Sequence, residues 1–425
     1  MGATIPAPEP ALTRLALILA LTIACLACFP GPLRALDRAA IEAQYRTWLE
    51  QVIWPAARGQ GVSRSIFDGA FRNARLNWDL PDLVPPGTTA KPGKQRQSEF
   101  GAPARYFAPA NLSGATATGR QMARRHATAL ARAEQATGVP GRIILAIWGR
   151  ESAYGRAAIP HDVFEILGTQ GFMSTRASYF TEELIAALRI AQAGHAPESA
   201  MKSSWAGALG QPQFMPSSFL RYAADGDGDG RADIWRSEVD TIASIARYLG
   251  QHGWVAGRDW GFEVTVPDTV SCALEGPDQG RRISDWEKLG IRRTSGRPFP
   301  QHEQRGQGFL MMPAGRKGPA FLVTPNFYVL KDYNMSDLYA LFVGHVGDRI
   351  QYGSGDFAAP WRDVGKMSRA GIADIQRRLE AKGHDVGGVD GLPGFKTRRS
   401  IGRWQASAGL AETCFPEAGM ERRIR

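Results

Sequence analysis

Cysteine is scarce, with four residues in a chain of 425. Cys25 and Cys28 lie near the N-terminus, which leaves Cys272 and Cys414 for the folded body. A bridge between these two is open in an oxidising compartment, but sequence does not show whether their geometry fits. Cys/His spacing of the zinc type is absent, so nothing supports a zinc module. Long apolar runs are also lacking. Leu15 to Ala27, preceded by Arg14, is too short to span a bilayer comfortably and suits the apolar core of a signal peptide. Leu33-Arg34-Ala35 sets a small residue before a cleavage after Ala35, so residues 1–35 read as the signal. Lipidation at Cys25 or Cys28 is a rival, although Thr22-Ile23-Ala24 and Cys25-Leu26-Ala27 are poor lipoboxes. An uncleaved anchor is another rival. Internal repeats are absent.

Acidic residues are the minority among charges: 41 Asp plus Glu against 51 Lys plus Arg, a formal net charge of +10. A basic surface favours an anionic partner. Nucleic acid, anionic lipid and a carboxylate-bearing wall polymer all fit. With 44% hydrophobic and 22% charged residues, the composition is that of a soluble globular protein. Its length allows two or three domains.

The patterning is mainly helical. Ile41, Tyr45, Trp48, Leu49 and Val52 form a 3.6-residue stripe within 39–75. Residues 79–118, rich in Pro, Gly, Thr and Ala, read as extended connections. A long helix is predicted over 119–137. Pro140 suits the first turn of the next helix, which should stop near Gly155. Further helices are predicted at 177–193, 238–251 and 335–350. Alternation in Phe262-Glu263-Val264-Thr265-Val266 predicts a small strand-containing subdomain over 260–325. Residues 351–366 read as a linker before a compact module at 367–425.

Three constellations carry chemistry. The first is Glu151. Ile143, Ile144, Ile147 and Trp148 mark one helical face, and Glu151 comes next on it. Burial raises a carboxyl pKa, which suits a general acid near neutral pH. The plain alternative is a helix-end Glu that reaches water. The second is the Gly- and amide-rich loop Ser204-Trp205-Ala206-Gly207-Ala208-Leu209-Gly210-Gln211-Pro212-Gln213-Phe214-Met215-Pro216. Such a loop can approach a ligand closely and offer both donors and acceptors, as sugars require. The third is Asp225-Gly226-Asp227-Gly228-Asp229-Gly230-Arg231, which fits the start of an EF-hand calcium loop. Arg231 would offer a backbone carbonyl. Arg236 stands where the bidentate Glu belongs, and Glu238 or Asp240 could replace it. A solvated acidic turn is the alternative.

Glu151-Ser152-Ala153-Tyr154-Gly155 and Gly207 to Pro216, in this order, resemble the lytic murein transglycosylase B family. Gln97-Ser98-Glu99-Phe100, Pro325-Asn326-Phe327-Tyr328 and Tyr333-Asn334 extend the resemblance over about residues 38–350. It implies a lysozyme-like α+β catalytic domain over 36–350, mainly α with the strand-containing subdomain. It also implies that Glu151 is the catalytic acid and base, and that Ser204 and Gln213 line the sugar cleft. Arg176 and Tyr179 resemble a substrate-binding segment, with Thr175 where a second Arg is common. Tyr328, Tyr333 and Asn334 resemble residues facing the scissile bond. Pro212 departs from the pattern. Among the calcium-loop candidates the resemblance favours Asp240, giving a structural Ca2+ held by Asp225, Asp227, Asp229, Arg231 and Asp240, with no organic cofactor.

The implied reaction is cleavage of the MurNAc–GlcNAc β-1,4 bond of peptidoglycan with a 1,6-anhydro-MurNAc end. Nearby carboxylates are Glu165, Glu182 and Glu183, and the last two are expected to face solvent. Residues 367 to about 412, with Asp390-Gly391-Leu392-Pro393-Gly394-Phe395-Lys396-Thr397, are similar to a small three-helix peptidoglycan-binding domain. That module would hold the enzyme on its polymer and raise local substrate concentration. Lys396, Arg398, Arg399 and Arg403 suggest a DNA-reading helix instead, but export argues against nucleic acid. The expected location is the periplasm, with a membrane contact only through an N-terminal lipid anchor. A water-using muramidase and a non-catalytic peptidoglycan-binding scaffold are the rival functions.

Overall fold

The computed structural model describes residues 37–90, 103–365 and 367–424. The signal stretch and Gln97-Ser98-Glu99-Phe100 lie outside the described residues. Three apolar clusters organise the rest.

The largest cluster is helical and centres on the helix Gly141–Ser152. Ile143, Ile144, Ile147 and Trp148 have no exposed surface, and Leu145 and Ala146 are buried with them. A helix that is apolar all round must be packed all round. Helices Pro109–Arg125, Glu238–Gln251 and Asp337–Tyr352 supply that packing. The chain reverses directly after Glu151. Ala153 (φ 50°), Tyr154 (φ 60°) and Gly155 (φ 77°) are all left-handed, so the helix stops short of the predicted Gly155. Two of these residues carry a Cβ and are strained there. Packing holds them. The Tyr154 hydroxyl donates to the Ala115 carbonyl (2.7 Å), and its ring stands edge-on to Trp148. Gly149 leaves space for that ring, which a Cβ would strike.

Two helix expectations change. The span 119–137 holds parts of two helices, Pro109–Arg125 and Ala127–Thr137, broken at His126 (φ −110°, ψ 25°). Residues 109–118 are therefore helical rather than extended. Leu112 and Thr116 are buried on that stretch rich in turn residues, and burial outweighs the local composition.

Strands His161–Asp162 (β1) and Lys202–Ser203 (β2) pair as a short ribbon. The strand-containing subdomain lies where the alternation predicts it. Gly261–Thr265 (β3), Arg281–Arg282 (β4), Arg292–Arg293 (β5), Gln307–Met311 (β6) and Ala320–Val323 (β7) form one antiparallel sheet, in the order β4-β6-β7-β3-β5. Phe262 and Val264 point into the second cluster with Leu310, Leu322 and Trp286.

The C-terminal module has helices Arg369–Ala381, Phe395–Ser407 and the short Met420–Arg423 around Ile375, Leu379, Ile401 and Trp404. Buried Gln376 shapes its turn. Its amide donates to Asp390 Oδ1, the Leu392 carbonyl and Thr397 Oγ1, and accepts from the Gly391 N–H.

This module is docked on the sheet. Cys272 and Cys414, whose state the sequence left open, form a disulfide between positions 142 residues apart. Buried Arg398 forks onto fully buried Glu275 (2.5 and 3.0 Å), and Arg399 pairs with Asp278 (2.7 Å). Two members of the basic cluster thus spend their charge inside the molecule rather than on a nucleic-acid face. The stretch read as a linker is also held. Phe357 and Trp361 pack on Phe107, and the Ala358 and Ala359 N–H groups donate to Glu263. Replacing Arg398 by Ala strands a buried carboxylate and is expected to cost about 3–5 kcal/mol. Cys414→Ser should cost about 2–5 kcal/mol through the long loop it opens. Urea unfolding measures both; a cost for Arg398→Ala within the range of a surface pair, under about 1 kcal/mol, would contradict this docking.

Candidate active site

Glu151 occupies the last turn of its helix, below the left-handed reversal. Its side chain keeps some solvent-accessible area, but protein fills most of the volume around it. This desolvation raises the carboxyl pKa. Two weaker effects oppose it. The Tyr339 hydroxyl donates to Glu151 Oε1 (2.6 Å), and the Arg150 charge lies nearby. Arg150 itself is turned towards Tyr106, whose hydroxyl accepts from it (2.9 Å), and its guanidinium covers the Tyr106 and Phe342 rings. The carboxyl is therefore buried beside a phenol rather than locked in an ion pair.

Tyr333 and Tyr339 stack beside that carboxyl, with ring centroids 6.5 Å apart. The Tyr333 hydroxyl donates to the Pro212 carbonyl (2.7 Å). Burial, and then the Glu151 charge, push both phenols well up, so both remain protonated donors.

The Gly- and amide-rich loop is stitched to the same helix through Gln211. Its Oε1 accepts from the Trp148 indole (2.9 Å), and its Nε2 donates to the Trp235 carbonyl (3.3 Å). Gly155 permits this approach, because a Cβ there would strike the Gln211 amide. Ser204 Oγ accepts from the Ala206 and Ala208 N–H groups and shapes the loop's first bend. Gln213 is left-handed (φ 55°) and donates to the Gly210 carbonyl (2.8 Å). A non-glycine residue held in that region stores strain, a common property of binding loops.

The remaining candidates separate. Arg176 lies over the Tyr179 ring (4.2 Å), at the start of the helix Ala177–Gln192. Asn334 is exposed, and its Oδ1 accepts from the Ser336 N–H in the turn between Tyr333 and Tyr339. Tyr328 packs against strand β6. Its ring meets Phe309 edge-on (5.1 Å), and the charges acting on it are those of Asp337, Glu275 and Asp278. Glu183, expected at the solvent face, is 4% exposed. Its two oxygens accept from Ser217 N–H and Oγ (2.8 and 2.7 Å), satisfying the start of the helix Pro216–Tyr222. Glu165 is held by Arg75 and Asn77 (2.7 and 2.8 Å). Among the described residues, no second carboxylate acts on Glu151. Tyr339 and Gln211 are the partners that motif reading missed. Tyr339 lies 188 residues from Glu151, and no local pattern marks it.

In the acidic loop, the Asp225, Asp227 and Asp229 carboxylates are exposed and lie within 4.8 Å of one another. Such crowding suits a hard cation. Arg231 N–H donates to Asp229 Oδ1 (2.8 Å), which brings its backbone into the loop. Asp240 does not join the trio. It is buried, and its oxygens accept from the Gly226 and Asp233 N–H groups (2.8 and 2.7 Å), bracing the loop from behind.

Residues 44–348 match the Transglycosylase SLT domain family. Membrane-bound lytic murein transglycosylase B of Escherichia coli (strain K12) is 35% identical over 231 residues, covering 52% of this chain and 60% of that protein. That match spans less than two thirds of the relative's length. SltB3 from Pseudomonas aeruginosa, solved in complex with NAG-NAM-pentapeptide, is 33% identical with a TM-score of 0.78, covering 90% of this chain and 99% of that one. The Escherichia coli lytic transglycosylase Slt35, solved in complex with calcium, is 27% identical with a TM-score of 0.56, covering 74% and 93% of the two chains. A matched domain over most of the chain places this chain in the Transglycosylase SLT domain family.

Proposed function

We propose that this protein is a lytic transglycosylase that cleaves the MurNAc–GlcNAc β-1,4 bond of peptidoglycan and leaves a 1,6-anhydro-MurNAc end. One observation carries the reading: a desolvated carboxyl that has a phenol partner and, among the described residues, no second carboxylate acting on it. Glycoside hydrolysis uses two carboxyl groups, spaced for a water or for a covalent intermediate. One group suffices here. Protonated Glu151 donates its proton to the leaving glycosidic oxygen as the C1–O bond breaks. The resulting carboxylate accepts the proton of the C6 hydroxyl as that oxygen bonds to C1. The proton returns, no water is consumed, and the nucleophile is already part of the sugar. Tyr339 donates to the carboxylate form between the two steps. Kinship with transglycosylases, including one solved with NAG-NAM-pentapeptide, supports the substrate class. The basic balance suits a wall carrying peptide carboxylates. A periplasmic location follows from the substrate, and no described helix is long and apolar enough to cross a membrane.

The scaffold alternative fails to explain the cost of Glu151. Its raised pKa means that the folded state binds this proton more tightly than the unfolded state. Stability is therefore lost as pH rises above the ordinary value of 4.5. Glu151→Gln should unfold at higher urea than the parent at pH 7, and that advantage should vanish at a pH well below 4.5, where both states are protonated. Turnover of purified sacculi should fall by about 10²–10⁴-fold in the same variant. Mass spectrometry of the parent's products should find 1,6-anhydro ends; reducing ends would mean that water is the nucleophile.

The acidic loop is proposed to hold a structural Ca2+ through Asp225, Asp227, Asp229 and the Arg231 carbonyl. The cation would neutralise the crowded carboxylates and brace the segment leading to the helix Glu238–Gln251. Saturating calcium at about 100 times its Kd should add about 2.7 kcal/mol of stability. Asp229→Asn keeps the oxygen that Arg231 N–H uses and removes a charge, so the calcium-dependent gain should shrink. A thermal midpoint indifferent to calcium would exclude the site.

A further inference from the structure

The exposed large apolar side chains among the described residues are few, and Met335 stands out at 80% exposure. It caps the turn whose flanks, Tyr333 and Tyr339, face Glu151. That turn is fixed. Ser336 N–H donates to Asn334 Oδ1 (3.2 Å), and Tyr339 N–H donates to Ser336 Oγ (3.1 Å). A rigid backbone thus displays a thioether to solvent, where an unbranched apolar side chain gains nothing unless something covers it. Across from Met335 the docked module contributes Pro393, Phe395 and Phe415, and the two sides enclose a cleft. At its rim Lys331 and Asp337 form a half-buried ion pair (2.7 Å), and Arg398 lies 3.7 Å from Asp337.

We propose that this seam is a second binding site, which takes the peptide stem of the strand whose sugars lie at Glu151; this rests on the transglycosylase reading above. The walls are too apolar for a pyranose, which needs many converging donors and acceptors. A wall peptide instead offers alanyl methyls to Met335, Phe395 and Phe415. Its carboxylates and ammonium group match the Lys331–Asp337 pair, which can exchange partners at the rim. Continuity supplies the geometry. The stem grows from the muramic acid lactyl group next to the scissile bond, and the seam shares the 333–339 turn with the catalytic carboxyl. The module then acts as a wall of the substrate site rather than as a swinging tether.

The test uses the full chain carrying Glu151→Gln, so that ligands are bound and not consumed. Calorimetry compares two tetrasaccharides of the same sugars, one with intact stems and one stripped of them. The stem-bearing ligand should bind about tenfold more tightly. Adding Met335→Ala, which removes an exposed side chain and leaves the fold intact, should erase most of that margin. Phe395→Ala, checked for an unchanged melting temperature, should do the same from the module side. Equal affinity for the two ligands, or a margin that survives both substitutions, would overturn the proposal. Parent turnover on sacculi, measured in parallel, reports separately on the catalytic reading.

Discussion

Desolvation of the Glu151 carboxyl is the constraint on which the other features depend. A buried ionisable group is costly, and this one sits at the end of a helix with no exposed apolar surface. The surrounding helices make that position dry. The left-handed run from Ala153 to Gly155 turns the chain away directly after it. Tyr339, from a distant helix, is the group that keeps the carboxyl from being stranded. Gln211 then fastens the amide-rich loop to the same helix through Trp148. Each contact costs the fold something, either strain or a desolvated polar group. Together they leave one desolvated carboxyl held by a phenol.

The C-terminal module shows a different use of burial. A buried ion pair is weak evidence for stability, because desolvation offsets most of the attraction. Its value here is orientation. Arg398 can satisfy Glu275 in one docked arrangement, and the Cys272–Cys414 disulfide removes the alternatives from the unfolded chain. The Phe357 and Trp361 strap shortens the reach of the connecting segment. A module held this way cannot sweep a large volume, so a simple tethering calculation with a flexible linker does not describe it.

Much of the architecture was legible in short-range pattern. The helices at 177–192 and 238–251, the sheet subdomain and the two main module helices follow from periodicity and punctuation. Failures occurred where a distant partner outvotes the local signal. Residues 109–118 look extended by composition, yet the buried face of Leu112 and Thr116 makes them helical. Glu183 looks like a surface residue beside Glu182, yet Ser217, 34 residues on, draws it inward.

By itself, the sequence determined the helix that carries Glu151, the loop rich in Gly and amides, the acidic loop, and the order of these parts. These are properties of neighbouring residues, and apolar spacing, turn chemistry and charge crowding express them locally. Only the tertiary structure decided that Tyr339 meets Glu151, that Asp240 braces the acidic loop instead of joining its carboxylates, and that the two body cysteines pair. It also decided that the module faces the 333–339 turn across a shared cleft. Each of these is a contact between chain segments whose separation leaves no periodic trace, and each is fixed by what burial permits.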